Sequence, residues 1–241
     1  MQKLSLPSVT LVTVDTICHE LTRRALQRCL DVADFGDVLV LSDKPILPNH
    51  WVKCKASSTK DISDIYYKVL PKLIKTDFMC IIHWDSWIVY PDVWLPEFLS
   101  HSYIGAPWWY PANNVGNSGF SIRSTAMARY IADSDLEHAF PDDAVICRSH
   151  RPKLELVGFT FASTALAGHF AFERNILYPL DEIFGFHGIF NWPLVLPYEE
   201  LEEIAQLAYE NKYVRSRPEY CEFEMKLTQL RYDRITGVVN G

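Results

Sequence analysis

Residues 77–90 read DFMCIIHWDSWIVY, and the first half of this stretch decides the fold. Asp77 to Ile82 is a short, almost wholly apolar run, as in a strand covered on both faces. Polar His83 and Asp85 follow at once. Toward the N-terminus the arrangement recurs twice. Val9 to Asp15 (VTLVTVD) is a β-branched run ending in an acid, and Val38 to Leu41 (VLVL) runs into Ser42 and Asp43. Between them, residues 19–33 place Leu21, Ala25, Leu26, Cys29 and Leu30 at helical spacing. A third short strand is expected over Trp51 to Cys54, then a helix over Asp61 to Lys75 with Pro71 as a kink or break. Strands alternating with helices predict an α/β protein with a mostly parallel central sheet flanked by helices. Ligands of such sheets sit beyond the carboxyl ends of the strands. Asp15, Asp43, His83 and Asp85 all fall there.

Toward the C-terminus the pattern changes. Trp108 to Asn117 (WWYPANNVGN) is rich in Pro, Asn and Gly and reads as loop. Gly119 to Arg123 is strand-like, and a helix is expected from Ser124 to Ala132. Pro141-Asp142-Asp143 opens another helix, because proline and acids favour a first turn. Phe184 to Asn191 (FGFHGIFN) reads as irregular, and residues 198–211 and 218–232 as terminal helices. No repeat, low-complexity tract or linker interrupts the chain, so a single domain over 1–241 is expected.

Composition narrows the function classes. Of 241 residues, 49% are hydrophobic and 22% charged, an ordinary globular balance. The formal net charge is −7 and no basic stripe is present, which disfavours nucleic acid as a main partner. The six cysteines are scattered without a C-x-x-C pair, so they read as buried thiols in a reducing compartment rather than a disulfide framework or zinc site. The first residues lack a signal-peptide pattern, and no run approaches the ~18 apolar residues of a membrane span. The expected location is cytoplasmic.

Four local patterns carry chemistry, each with a plainer alternative. In His83-Trp84-Asp85, residues two apart at a strand tip point to one side and can share a divalent ion; alternatively the acid caps and the histidine is merely polar. His187 lies between glycines that allow close backbone approach to a ligand, or it is a structural histidine in a tight turn. Asp142-Asp143 can supply a general base or simply complement a helix dipole. Val115 to Arg123 (VGNSGFSIR) suggests exposed backbone amides and an inward Arg123, or an unliganded β-turn; it matches no phosphate-loop or dinucleotide fingerprint. Trp108, Trp109 and Trp192 are candidates for stacking on sugars, though such aromatics also anchor cores.

In this order the segments VTLVTVDT, VLVLSD, DFMCIIHWDSWIVYPDVW, YIGAPW, VGNSGFSIRS, PDDAVICR and FGFHG resemble a little-characterised family of GT-A-type glycosyltransferases, over residues 8–193. The resemblance implies a Rossmann-like domain followed by a helical extension over 198–241. It implies a nucleotide-sugar donor, a glycan or other hydroxyl acceptor (modified DNA among the options), and a divalent cation, Mn²⁺ or Mg²⁺. Asp85 stands where these enzymes keep the metal- and diphosphate-facing acid of their D-x-D element, and His83 replaces its first acid. His187 matches the C-terminal histidine that completes the metal site. Asp143 matches the base of inverting members, with Asp142 orienting the acceptor or supporting the helix. Gly119 and Arg123 match the segment that walls the sugars, and Thr13, Asp15 and Asp43 lie where the first strands contact the nucleotide. Two rival classes remain: a non-catalytic nucleotide-sugar-binding module, and a metal-dependent nucleotidyl- or phosphotransferase.

Overall fold

Three β-branched or apolar runs near the N-terminus pair side by side as parallel strands in a computed structural model that describes residues 2–47 and 50–237. Strand β1 (Leu4–Val14) pairs with β2 (Ala33–Ser42), and β2 with β3 (Trp51–Lys53), joined by helix α1 (His19–Val32). Both long strands start earlier than their apolar cores suggest, because Leu4–Leu6 pairs with Ala33–Phe35 across a register shift. Next, α2 (Thr59–Asp64) passes through a π-helical turn (Ile65–Val69) into α3 (Leu70–Leu73). Pro71, expected to kink or break this helix, sits in the first turn of α3, where its missing N–H costs nothing. β4 (Phe78–Ile82) then pairs in parallel with β1.

After β5 (Ser86–Ile88), β6 (Tyr103–Gly105) and β7 (Phe120–Ser124) complete the main sheet in the order β3-β2-β1-β4-β7-β6. Only β7 runs against the rest, pairing antiparallel with β4 and β6. The protein is therefore an α/β fold with a six-stranded, mostly parallel sheet, as the alternation predicted. On one sheet face Val12, Met79 and Ile81 pack with Ile65, Tyr66, Leu70 and Ile74 from the helical side. On the other face α1 buries Leu21, Ala25, Leu26 and Cys29.

Helices α4 (Thr125–Asp133), α5 (Asp142–Ala144), α6 (Arg151–Leu156) and α7 (Thr164–Phe170) follow, with a second π-helical turn (Val145–Ser149) after α5. The segment around His187, expected to be irregular, instead contributes a strand. β8 (Ala171–Phe172) and β9 (Gly185–His187) join β5 in a small sheet ordered β5-β9-β8. Gly185 lets β9 lie on the main sheet, since a Cβ there would meet the Phe120 ring at 2.4 Å.

Contacts divide the chain into two compact units, Met1–His187 and Gly188–Gly241. The second holds α8 (Trp192–Val195), α9 (Tyr198–Glu210), α10 (Lys212–Arg215) and α11 (Pro218–Thr236). Trp192 is fully buried there, edge-on to Phe223 at 5.5 Å. All six cysteines are free thiols; Cys221 on α11 is exposed and Cys54 half-buried, against the expectation that all were buried. Among the described residues no helix is long and apolar enough to cross a membrane.

Candidate functional site

His83 and Asp85 leave the carboxyl end of β4, and His187 is delivered to them by the pairing of β5 with β9, in which Ser86 lies opposite His187. Among the described residues, His83, Asp85 and His187 form a group whose ligand atoms all lie within 4.8 Å of one another. His187 Nε2 is 3.4 Å from Asp85 Oδ1, and the two imidazoles meet edge to face at 5.4 Å. His83 Nε2 lies 3.3 Å from the hydroxyl of Tyr66, which the first π-helical turn presents. Burial and the neighbouring charge of His187 hold the His83 pKa down to about 4. Burial also opposes charge on His187, but Asp85 and Glu173 outweigh it and push its pKa up to about 10. Two imidazoles and one carboxylate suit a divalent transition cation, which accepts nitrogen and oxygen ligands together.

The turn Asn117-Ser118-Gly119 runs beside this group and ties it to Asp143. Gly119 has no side chain because the His187 ring occupies that space; a Cβ would sit 2.2 Å from it. The Gly119 carbonyl accepts from His83 N (2.9 Å) and Ser86 Oγ (2.6 Å). Asn117 takes a positive φ of 62° and its Oδ1 accepts from Gly119 N at 3.0 Å. The amide of Ser118 donates to Asp143 Oδ2 at 3.1 Å, while Ala144 N donates to Oδ1 at 2.8 Å. The amides of Ser118 and Gly119 are thus spent within the protein, not exposed as the glycine-rich sequence suggested. Burial and the adjacent Asp142 raise the Asp143 pKa above the usual carboxylate range.

Other candidates take different places. Arg123 points into the face covered by α4 and the tyrosines, buried, with Nη1 2.7 Å from Asp142 Oδ2 and its guanidinium 5.0 Å above the Tyr103 ring. Arg123, expected to wall the sugars, and Asp142, expected to orient the acceptor or support the helix, thus form a buried ion pair. Asp15 closes the turn before α1: its carboxylate accepts from Ile17 N, Cys18 N and, within the helix, Thr22 Oγ1 at 2.8–3.1 Å. Thr13 is fully buried within β1. Asp43 is partly exposed and pairs with His19 Nε2 at 2.6 Å, a bond that, with His19's charge, lowers its pKa. Trp108 is half-buried with its ring over Gly116, where a Cβ would meet it at 2.0 Å. Trp109 is 64% exposed, whereas buried Trp192 offers no face to a sugar. The sequence reading missed Tyr66 and Glu173, which touch the two histidines.

A family model described as "Protein of unknown function (DUF5672)" matches residues 48–187, more than half of the chain. The chain belongs to this family. The match takes in β3 through β9, and so includes every member of the histidine–aspartate group of this DUF5672 protein. No curated protein matches the sequence. Among solved structures, the chain is similar to a glycosyltransferase involved in the glycosylation of the major capsid of PBCV-1, at 11% identity and a TM-score of 0.47, over 82% of this chain and 98% of that one. It is also similar to the apo-form glycosyltransferase GlyE of Streptococcus pneumoniae TIGR4, at 11% identity and a TM-score of 0.45, over 77% of this chain and 54% of that one. A third is the mannosyltransferase PcManGT from Pyrobaculum calidifontis, solved with GDP-Man and Mn²⁺, at 7% identity and a TM-score of 0.44, over 99% and 79%.

Proposed function

We propose that this DUF5672 protein is a glycosyltransferase that moves a sugar from a nucleoside-diphosphate donor to an acceptor hydroxyl, with inversion. The reading is carried by one placement: the His83–Asp85–His187 group and the raised-pKa Asp143 adjoin one three-residue turn, Asn117-Ser118-Gly119, with the His187 ring against Gly119 and Asp143 on the Ser118 amide. His83, Asp85 and His187 would hold a divalent cation of the Mn²⁺ type. When bound, the cation supplies positive charge against the charge that builds on the departing diphosphate. Asp143 takes the proton of the acceptor hydroxyl as that oxygen attacks the anomeric carbon. The two backbone amides on its oxygens fix its direction, and burial strengthens it as a base. A single displacement of this kind inverts the anomeric centre, as one-step glycoside chemistry does. Asp43, partly exposed just past the end of β2, is assigned to the nucleoside, and Trp109 to an acceptor sugar.

The test is turnover of UDP-, GDP- and CDP-sugars with Mn²⁺ or with a chelator, following nucleoside diphosphate release and the product's anomeric configuration. Asp143→Asn should lower the rate about 10²–10⁴-fold while the nucleotide still shifts the melting temperature. Wild-type activity in Asp143→Asn would remove it as the base. Transfer of a phosphoryl or nucleotidyl group would replace the reaction class, and nucleotide binding without turnover would leave a binding module.

A further inference from the structure

A fourth side chain, outside every motif of the sequence, completes the histidine–aspartate group. β8 pairs in parallel with β9, Ala171 opposite Gly185 and Phe172 opposite Phe186. One more step along this register sets Glu173 beside His187. The small sheet therefore ends in a row: Asp85 beyond β4 and just before β5, His187 on central β9, Glu173 past β8. The row is bonded as well as aligned. Glu173 Oε1 lies 3.1 Å from His187 Nδ1, while Nε2 of the same ring faces Asp85 Oδ1 at 3.4 Å. Glu173 is half-buried and also hydrogen-bonded by the side chain of Asn117, the left-handed residue of the turn that runs to Asp143.

A carboxylate accepts hydrogen bonds and does not donate them, so the contact with Glu173 places a proton on Nδ1. That fixes the ring's orientation and turns Nε2 toward Asp85 and His83. Histidine ligands of metals commonly carry such a carboxylate on their far nitrogen. We infer that Glu173 is a positioning residue for the cation site, holding the His187 ring so that Nε2, not Nδ1, is the ligand nitrogen. This rests on the cation reading of the proposed function. Asn117 extends the hold, because the same residue restrains Glu173 by its side chain and shapes the Ser118–Gly119 turn by its backbone.

Two measurements on the full chain test it. The first is Mn²⁺ affinity from the electron paramagnetic resonance of free Mn²⁺, with UDP, GDP or CDP present in turn, for wild type, Glu173→Gln and Glu173→Ala. Glu173→Ala should bind about 10–100-fold more weakly. Glu173→Gln, whose amide oxygen still accepts from Nδ1–H, should fall close to wild type. Equal affinity in wild type and Glu173→Ala overturns the inference, as does a loss in Glu173→Gln as large as in Glu173→Ala. The second is ¹⁵N–¹H NMR of the histidine rings without metal: His187 should show a downfield, slowly exchanging proton on Nδ1 in wild type and Glu173→Gln, and lose that protection in Glu173→Ala. Absence of that proton from wild type overturns the inference whether or not the alanine variant folds. Wild type that binds no Mn²⁺ with any nucleotide overturns the cation reading instead, and the NMR result alone then decides what Glu173 does to the ring.

Discussion

The β1–α1 turn and the β4–β5 turn lie at the same edge of the sheet, behind neighbouring parallel strands, and each places a buried aspartate there. Their aspartates have opposite employment. Asp15 gives its carboxylate to two backbone amides of the turn and to the Thr22 hydroxyl, and so ties the turn to α1. Asp85 instead faces His187 and shares a cluster with His83. Position at a strand end is thus no sufficient sign of a ligand site. What distinguishes the two turns is whether the acid's lone pairs are spent on the turn itself. The same contrast separates adjacent Asp142 and Asp143: the first is buried against Arg123, the second is held by backbone amides beside the turn.

The largest effect should come from breaking a spent carboxylate. Arg123→Met leaves Asp142 buried without its cation and should cost about 3–5 kcal/mol of unfolding free energy, read by urea denaturation. Adding Asp142→Leu should recover much of it, because two apolar groups of similar volume replace a buried pair. Failure of the double variant to recover would mean that the pair also holds α5 in place. Buried Tyr103 and Tyr66, whose rings flank the guanidinium, would be the next residues to examine.

The strand ends were legible because an apolar run that stops at a polar residue marks a buried strand and its exit. That rule marks His83 and Asp85, whereas His187 is marked by its flanking glycines and by the resemblance. Glu173 was not legible, since β8 and β9 are two and three residues long and too short to show a period. Their pairing is fixed by Phe172 and Phe186 packing together, ring centroids 5.8 Å apart, which only the folded chain shows. Arg123 was legible as a strand residue but not in its direction. Alternation puts it on one face with Met79 and Tyr103, its partners across β4 and β6, and that face is the one the helices cover. Tyr66 was hidden for another reason: a π-helical turn shifts the helical register there, and such turns recur at functional sites.

The histidines of the β4–β5 side give an intermediate effect through pH. His83 has its pKa lowered to about 4 by burial and the charge of His187, so the stability it contributes is complete above its unfolded value of 6.5 and is lost as pH falls toward 4. His187 is raised to about 10, because Asp85 and Glu173 overcome the cost of burial. Its contribution is complete below 6.5 and is lost as pH rises through 10. The chelated protein should therefore be most stable near neutrality, with two limbs belonging to different residues. Unfolding followed from pH 4 to 10 checks it: His83→Gln should flatten the acid limb and His187→Gln the alkaline one.

The smallest effect separates the two aspartates directly. Asp15→Ala should lower stability by about 1 kcal/mol, as loss of a hydrogen-bond acceptor does, and equally with or without Mn²⁺. The increment that Mn²⁺ and a nucleoside diphosphate add to the melting temperature should survive, because it reports ligand bound to the folded state alone. Asp85→Asn should abolish that increment, and in the chelated protein it should also shrink the alkaline limb, because Asp85 is the first of the two carboxylates that raise His187. The comparison is sharp because each variant is read twice, and only the difference between readings is assigned to the cation. If Asp15→Ala erased the Mn²⁺ increment, the two strand ends would form one site, and Asp15 would serve both the helix and the ligand.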